Sequence, residues 1–463
     1  MTHIMRRFAV SFLCVVAITS FGSSLSSSFR ASAQPTDPAP SSTPAPKLSV
    51  EERALRQSWR ADMLKAAPPK PGCFHSTYPN KEWREAPCRT APNIPYPMRT
   101  DLVRADVGGG SDYVAQVAGS ISTASGTFNR ATNFSESGLG GANAFSLQLN
   151  TNRFVSPLCE PPSTTPATPK SPNCMGWQQF LFSNSSQGSF IQYWLIGYFD
   201  NRSTCSEAAD VAHGGCCPKD WTTFKATATV SGANGCFRNS PMSSPTTPRV
   251  ILTAHTLLDM NLVGRVANNT DSVVFAADTQ DLYTANGLSN ILSLAGNWNA
   301  VEFNIVGDGA VSPIANFTDG TKMDVWVEVD GEPTCAQPST SQPTTGLTNE
   351  SNNLTLVNGD SGPCCAWTGQ GGGGISFTQS NAAGVKSICD AGDHCLPPGA
   401  SCSVTGLGCC AQFGQHECKN GRCVPVVPVQ SCNGVRRPTQ ACGGGGLGWQ
   451  CCGEDGWECG PCR

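Results

Sequence analysis

The chain has 463 residues, of which 14% are charged, and a formal net charge of −4. So small a positive charge excludes a phosphate backbone as partner, and no nucleic acid is expected. The 48 glycines and 34 prolines favour short strands and turns over helices, and the length suits one substantial domain with appendages.

Residues 1–33 read as a signal peptide. Arg6 and Arg7 precede an apolar run from Phe8 to about Phe21, and Ala31-Ser32-Ala33 supplies small residues for cleavage. That run is too short and broken to cross a bilayer, so no membrane span is expected. Residues 34–48 form a Pro-rich linker. Residues 49–105 hold a helix and a Cys-stapled segment. Ser49 and Glu52 make a capping-box pattern before a helix from about Val50 to Ala66, expected to lean on the main domain. Cys73 and Cys88 then bound a short loop carrying Phe74, Tyr78 and Trp83.

Residues 106–390 are predicted to be all-β, a two-sheet antiparallel β-sandwich. Strand patterns fall at Tyr113–Ser122, Ala144–Leu149, Trp177–Phe182, Phe190–Tyr198, Val250–Thr253, Ser272–Ala277, Val301–Val306 and Met323–Val329. Cys159 and Cys174 close a Pro-rich loop and are expected to be bonded. Cys205, Cys216, Cys217 and Cys236 lie in a second long loop, while Cys335, Cys364, Cys365 and Cys389 close the end of the domain.

The chain contains 25 Cys, and setting aside Cys14 in the signal leaves an even number for pairing. Adjacent cysteines such as Cys216-Cys217 and Cys409-Cys410 lack zinc-site spacing, so disulfides are expected and no metal. Asp278, Asp281, Asp308 and Asp319 show no recurrent calcium-loop spacing, and no cofactor is expected. Two small disulfide-knotted modules follow the sandwich. In residues 391–424, Cys395, Cys402, Cys409, Cys410, Cys418 and Cys423 give C-x6-C-x6-C-C-x7-C-x4-C. In residues 425–463, Cys432, Cys442, Cys451, Cys452, Cys459 and Cys462 keep the order with altered loops. Segments this short need crosslinks in place of a core. The first resembles the inhibitor cystine knot, or knottin, family, and the resemblance implies Cys395–Cys410, Cys402–Cys418 and Cys409–Cys423. Trp449 and Trp457 in the second module suit stacking on sugars or docking on protein, or else packing over a disulfide.

Two stretches of the β domain combine polar groups with apolar surroundings. One is Gly176-Trp177-Gln178-Gln179-Phe180-Leu181-Phe182 with Phe190-Ile191-Gln192-Tyr193-Trp194; the other is Ala300-Val301-Glu302-Phe303-Asn304-Ile305-Val306. Alternation places Glu302 opposite the Val301, Phe303 and Ile305 stripe. With Val117-Ala118-Gly119-Ser120-Ile121 and Ala315-Asn316-Phe317, these stretches resemble the eqolisin (glutamic peptidase) family of lectin-like, concanavalin-like sandwiches. The resemblance implies a catalytic Glu and Gln, matched here by Glu302 and Gln192, with Gln179 beside them. The family's second acid falls on Val306, and Phe180 to Phe182 stand where it has an Asp.

The candidate catalytic residues are therefore Glu302, Gln192 and Gln179, and the candidate binding residues are Trp177, Trp194, Trp449 and Trp457. Read without the resemblance, Glu302 is a solvated strand carboxylate, and Gln178, Gln179 and Gln192 are hydrogen-bonded amides of the sheet face. The expected function is that of a secreted, extracellular protein binding polysaccharide or protein; the alternative is acid endopeptidase action by a Glu/Gln pair. Hydrolysis requires Glu302 and Gln192 within a few ångströms of each other; glycan binding requires accessible tryptophans.

Overall fold

The computed structural model describes residues 50–97, 112–138, 141–159, 174–199, 217–225, 234–244, 251–266, 270–276, 281–287, 291–309, 312–336, 348–357, 365–369 and 372–387. It also describes short strands at 416–419, 422–425, 437–439, 448–453 and 456–459. In chain order the sandwich strands are β1 (Cys73–Thr77), β2 (Arg84–Ala86), β3 (Val114–Val117), β4 (Thr123–Thr132), β5 (Phe145–Thr151), β6 (Met175–Ser183), β7 (Gly188–Ile196), β8 (Thr222–Phe224) and β9 (Gly235–Asn239). They continue with β10 (Asn261–Val266), β11 (Asp271–Ala276), β12 (Asp281–Asn286), β13 (Ala300–Gly307), β14 (Lys322–Val329), β15 (Pro333–Ala336), β16 (Thr355–Leu356), β17 (Cys365–Gly369) and β18 (Gly372–Ser380).

The protein is all-β, and these strands form two sheets. One runs β2-β1-β12-β11-β10-β4-β14-β18-β16, with β17 also paired to β18; the other runs β8-β9-β7-β6-β5-β13-β3-β15. Neighbouring strands are antiparallel throughout both. Leu147, Leu149, Phe180, Phe182, Ile191, Val301, Phe303 and Ile305 from the eight-stranded sheet share one buried core with Phe128, Leu262, Phe275, Val325 and Phe377 from the ten-stranded sheet.

Two glycines set how closely the sheets approach. A Cβ on Gly126 of β4 would lie 2.0 Å from the Phe303 ring, and one on Gly264 of β10 would lie 2.5 Å from the Phe180 ring. Each aromatic of the eight-stranded sheet fills the space left by a missing side chain opposite, which holds β13 and β6 in place.

Several expectations are met and several are corrected. The helix α1 (Val50–Lys65) forms, and its Trp59 and Met63 pack on Ala276 and Leu282, so it leans on the sandwich; Ser49 lies outside the described residues. The stapled segment is not separate from the sandwich, because β1 pairs with β12 and β2 with β1. No strand forms at residues 251–253. There Thr253 caps the helix α2 (Ala254–Asp259): its hydroxyl accepts from Thr256 N–H at 3.1 Å, and Thr256 Oγ1 accepts from Thr253 N–H at 2.9 Å. The short strands β8, β9, β15, β16 and β17 were absent from the expected set, as were the longer β4, β10, β12 and β18. The apolar positions of the longer four include Ala and Gly, which weakens the alternation.

Disulfides join Cys73–Cys88, Cys159–Cys174 and Cys217–Cys236, and Cys335 is bonded as well. No helix among the described residues is long and apolar enough to cross a membrane. In the tail, Cys418 and Cys423 lie on the hairpin His416–Lys419 and Arg422–Pro425. Cys451, Cys452 and Cys459 lie in an antiparallel sheet of Arg437–Thr439, Gly448–Gly453 and Gly456–Cys459. Cys395, Cys402, Cys409, Cys410, Cys432, Cys442 and Cys462 are outside the described residues, as are the side chains of the other tail cysteines.

Candidate active site

Alternation in β13 sends Val301, Phe303 and Ile305 into the core and turns Glu302 to the outer face of the eight-stranded sheet. Strand β5 (FSLQLNT) repeats the pattern, with Ser146, Gln148 and Asn150 outward. On β6 and β7 the outward residues include Gln179 and Gln192 together with Trp177 and Trp194.

Register then aligns these side chains. Glu302 is opposite Asn150, Asn150 opposite Gln179, Gln179 opposite Gln192, and Gln192 opposite Asn239. A single polar row therefore crosses five adjacent strands. Glu302 and Gln192 stand three strands apart, roughly 14 Å between main chains at ~4.8 Å per strand. They do not face each other within a few ångströms. Gln179, one strand closer, is the amide that shares a neighbour with Glu302.

The row is continuous in hydrogen bonds. Asn150 Nδ2 donates to Glu302 Oε2 at 3.0 Å, and Gln179 Nε2 donates to Asn150 Oδ1 at 3.0 Å. Trp194 Nε1 donates to Gln179 Oε1 at 3.1 Å and to Gln192 Oε1 at 2.9 Å. An indole N–H can only donate, so it fixes both amides with oxygen towards Trp194 and nitrogen away. The sheet-face amide reading of these glutamines holds, and the solvated reading of Glu302 does not: Glu302 is 1% exposed.

Burial sets the electrostatics. Desolvation pushes the Glu302 carboxyl well above its ordinary range; Asp112 and Glu350 add like-charge repulsion, and Asn150 opposes both. Glu302 Oε1 is buried and has no hydrogen-bond partner among the described residues. Glu350 is raised to about 8, mainly by burial, against hydrogen bonds from Thr348 and Gln148. Asp308 is raised by burial while accepting from Tyr96 Oη at 2.5 Å, Ser183 Oγ at 2.9 Å and Ser185 N–H at 3.0 Å. Asp112 accepts from Asn304 Nδ2 and from Tyr113 N–H. Among the described residues no cation figures in the groups acting on Glu302, Glu350 or Asp308. Among the described residues no cluster of three or more His, Cys, Asp or Glu is arranged to hold a metal ion.

The face is closed by the protein's own chain. Residues 91–97 cross it: Gln192 Nε2 donates to Ile94 O at 3.0 Å, and Gln192 Oε1 accepts from Tyr96 N–H at 2.8 Å. Tyr96 packs with Leu181, Phe190 and Met242.

Sequence reasoning found Glu302, Gln179 and Gln192 and missed Asn150, Gln148, Asp112, Glu350, Asp308's role and Tyr96. The Ser-Gln-Asn parity of β5 was a usable signal for Asn150 and Gln148, because it matches that of β6 and β7. Asp112, Glu350 and Tyr96 lie far away in sequence with no local mark. Trp177 and Trp194, expected as binding residues, are fully buried. Trp177 Nε1 donates to Thr151 O, and the Trp194 ring packs on Phe224 and Phe237. Neither ring is accessible for stacking, and Trp194 serves to orient amides. The side chains of Trp449 and Trp457 lie outside the described residues. No family model, no curated protein and no solved structure matches the chain.

Proposed function

We propose that this chain is an exported, carboxyl-dependent peptide hydrolase of the glutamic-peptidase type, working where the raised Glu302 carboxyl begins to ionise, with Glu302 and Gln179 on either side of Asn150. The observation that carries the reading is a buried Glu302 with one oxygen unpaired and no cation acting on it among the described residues, and an amide oriented two strands away. A carboxyl held above its ordinary range can take a proton and return it near the working pH. In the reaction the ionised form of Glu302 takes a proton from water, so the rate rises with its ionisation, and the hydroxyl adds to the scissile carbonyl. A Gln179 N–H donates to the oxyanion, and the proton passes to the leaving nitrogen as the C–N bond breaks. The three described disulfides support export to an oxidising compartment, and the knottin-like tail would attach the hydrolase to extracellular polysaccharide or protein. Polysaccharide binding through Trp177 and Trp194 draws no support, since both are buried.

Peptide release from an acid-denatured protein by a chain opened with Tyr96→Ala, followed by mass spectrometry between about pH 3 and 9, tests this. In that Tyr96→Ala background, Glu302→Gln should lose at least about 10³-fold in rate and Gln179→Ala about 10²-fold. Undiminished cleavage by Glu302→Gln overturns the proposal. So does absence of cleavage by a folded chain whose covering segment has been loosened by Tyr96→Ala.

A further inference from the structure

The segment that closes the outer face is held in the way a bound polypeptide would be held. Residues 91–97 read Ala-Pro-Asn-Ile-Pro-Tyr-Pro. Most of the contacts holding it are to groups that every polypeptide carries. Asn239 Nδ2 donates to Pro92 O at 2.9 Å, Gln192 Nε2 donates to Ile94 O, and Gln192 Oε1 accepts from Tyr96 N–H. One side-chain amide thus reads a carbonyl and an N–H two residues apart. Asn349 N–H donates to Pro97 O at 3.0 Å at the far end. Three prolines limit the segment's freedom before it docks, which lowers the entropy lost on binding.

Two side chains are read individually: Asn93 Oδ1 accepts from Thr222 Oγ1 at 3.2 Å, and Tyr96 is held more fully. The Tyr96 ring lies against Leu181, Phe190 and Met242, and its hydroxyl donates to Asp308, whose other oxygen is held by Ser183 and Ser185. Gly309 leaves room for the segment: with φ +81°, a Cβ there would lie 2.5 Å from Ile94. A filler needed only for packing would require neither a buried carboxyl acceptor for its hydroxyl nor amides spaced to its main chain.

We infer that the outer face is a polypeptide-binding groove, in which Gln192 and Asn239 read the main chain. Leu181, Phe190, Met242 and Asp308 form a tyrosine subsite, and residues 91–97 hold the groove shut against other chains. This deepens the hydrolase reading and rests on it in one respect: the groove must run beside Gln179 and Glu302.

The test uses the full chain carrying Glu302→Gln, so that binding is measured without turnover, and a fluorescein-labelled APNIPYP amide peptide followed by anisotropy. Glu302→Gln alone should not bind, whereas Glu302→Gln with Tyr96→Ala, checked for folding by near-ultraviolet circular dichroism, should bind at micromolar concentration. A peptide with Phe in place of Tyr should bind about tenfold more weakly, and adding Gln192→Ala should cost about another tenfold. If Tyr96→Ala does not fold, Tyr96→Phe keeps the ring and should admit the tyrosine peptide weakly. A folded variant that ignores the peptide at about 1 mM, or that binds Tyr and Phe peptides equally, overturns the groove. Binding to Glu302→Gln alone at equal strength overturns the closure. Peptide binding in a chain that never hydrolyses leaves the groove standing and removes the hydrolase.

Discussion

The inner and outer faces of the eight-stranded sheet alternate residue by residue along the same strands. Inward, Val301, Phe303, Ile305, Leu147, Leu149 and Phe180 meet the ten-stranded sheet; outward, Glu302, Asn304, Gln148, Asn150, Gln179 and Gln192 meet covering chain. All are buried, but the inner face gains from removing apolar surface from water, an attraction without direction. The outer face has lost water around charged and amide groups and recovers through hydrogen bonds that need the correct partner at the correct angle. Apolar side chains there would hold the fold at lower cost. What the outer row provides is two oriented amides and carboxyls whose pKa burial raises, and its geometry depends on every member.

Substitutions at the two faces should therefore fail in different ways. The largest effect is expected on the inner face. Phe303→Ala leaves a cavity beside Gly126 and should cost about 3–5 kcal/mol of unfolding free energy by denaturant titration. Glu302→Gln should leave stability unchanged or raised, because it removes a buried ionisable group. A Phe303→Ala chain as stable as the parent would break the contrast.

The dependence of stability on pH comes next. Asp271, at about 7, and Glu350, at about 8, both lie above their unfolded values near ~4. The folded chain therefore binds more protons than the unfolded one between about pH 4 and 8. The stabilisation is fully present below about pH 4 and is lost as pH rises through the folded values. At ~1.4 kcal/mol per pH unit, each group contributes up to roughly 4 kcal/mol. Denaturant midpoints should fall from pH 4 to pH 8, and Asp271→Asn should flatten that fall. A midpoint that rises over this range contradicts the burial argument.

Smaller effects probe the amide row. Trp194→Phe leaves a smaller aromatic ring and deletes the N–H that orients Gln179 and Gln192. It should cost about 1–2 kcal/mol of stability, and hydrolysis should decline while Glu302 stays in place. Smallest is Asp112→Asn. It removes one like charge acting on Glu302, so the acidic limb of the pH–rate profile should move to lower pH by a fraction of a unit, burial remaining the larger cause. An acidic limb unmoved by this change would separate Glu302 from the rate.

The sequence alone determined what is local. Period-two alternation in β5, β6, β7 and β13 fixed which side chains share a face, and the cysteines marked closed loops, with Cys159–Cys174 found as expected. Glu302, Gln179 and Gln192 were legible because each stands out in an otherwise apolar strand. Strand order was not legible, since β13 pairs with β5 across some 150 residues of chain, as the Glu302–Asn150 pair shows. The tertiary structure therefore decided that Glu302 shares Asn150 with Gln179 and stands apart from Gln192. It also decided that Trp194 orients amides and that Tyr96, Asp112 and Glu350 close the site. The physical reason is that side-chain parity belongs to a single strand, while burial, pKa and hydrogen-bond partners belong to whatever the folded chain lays across it.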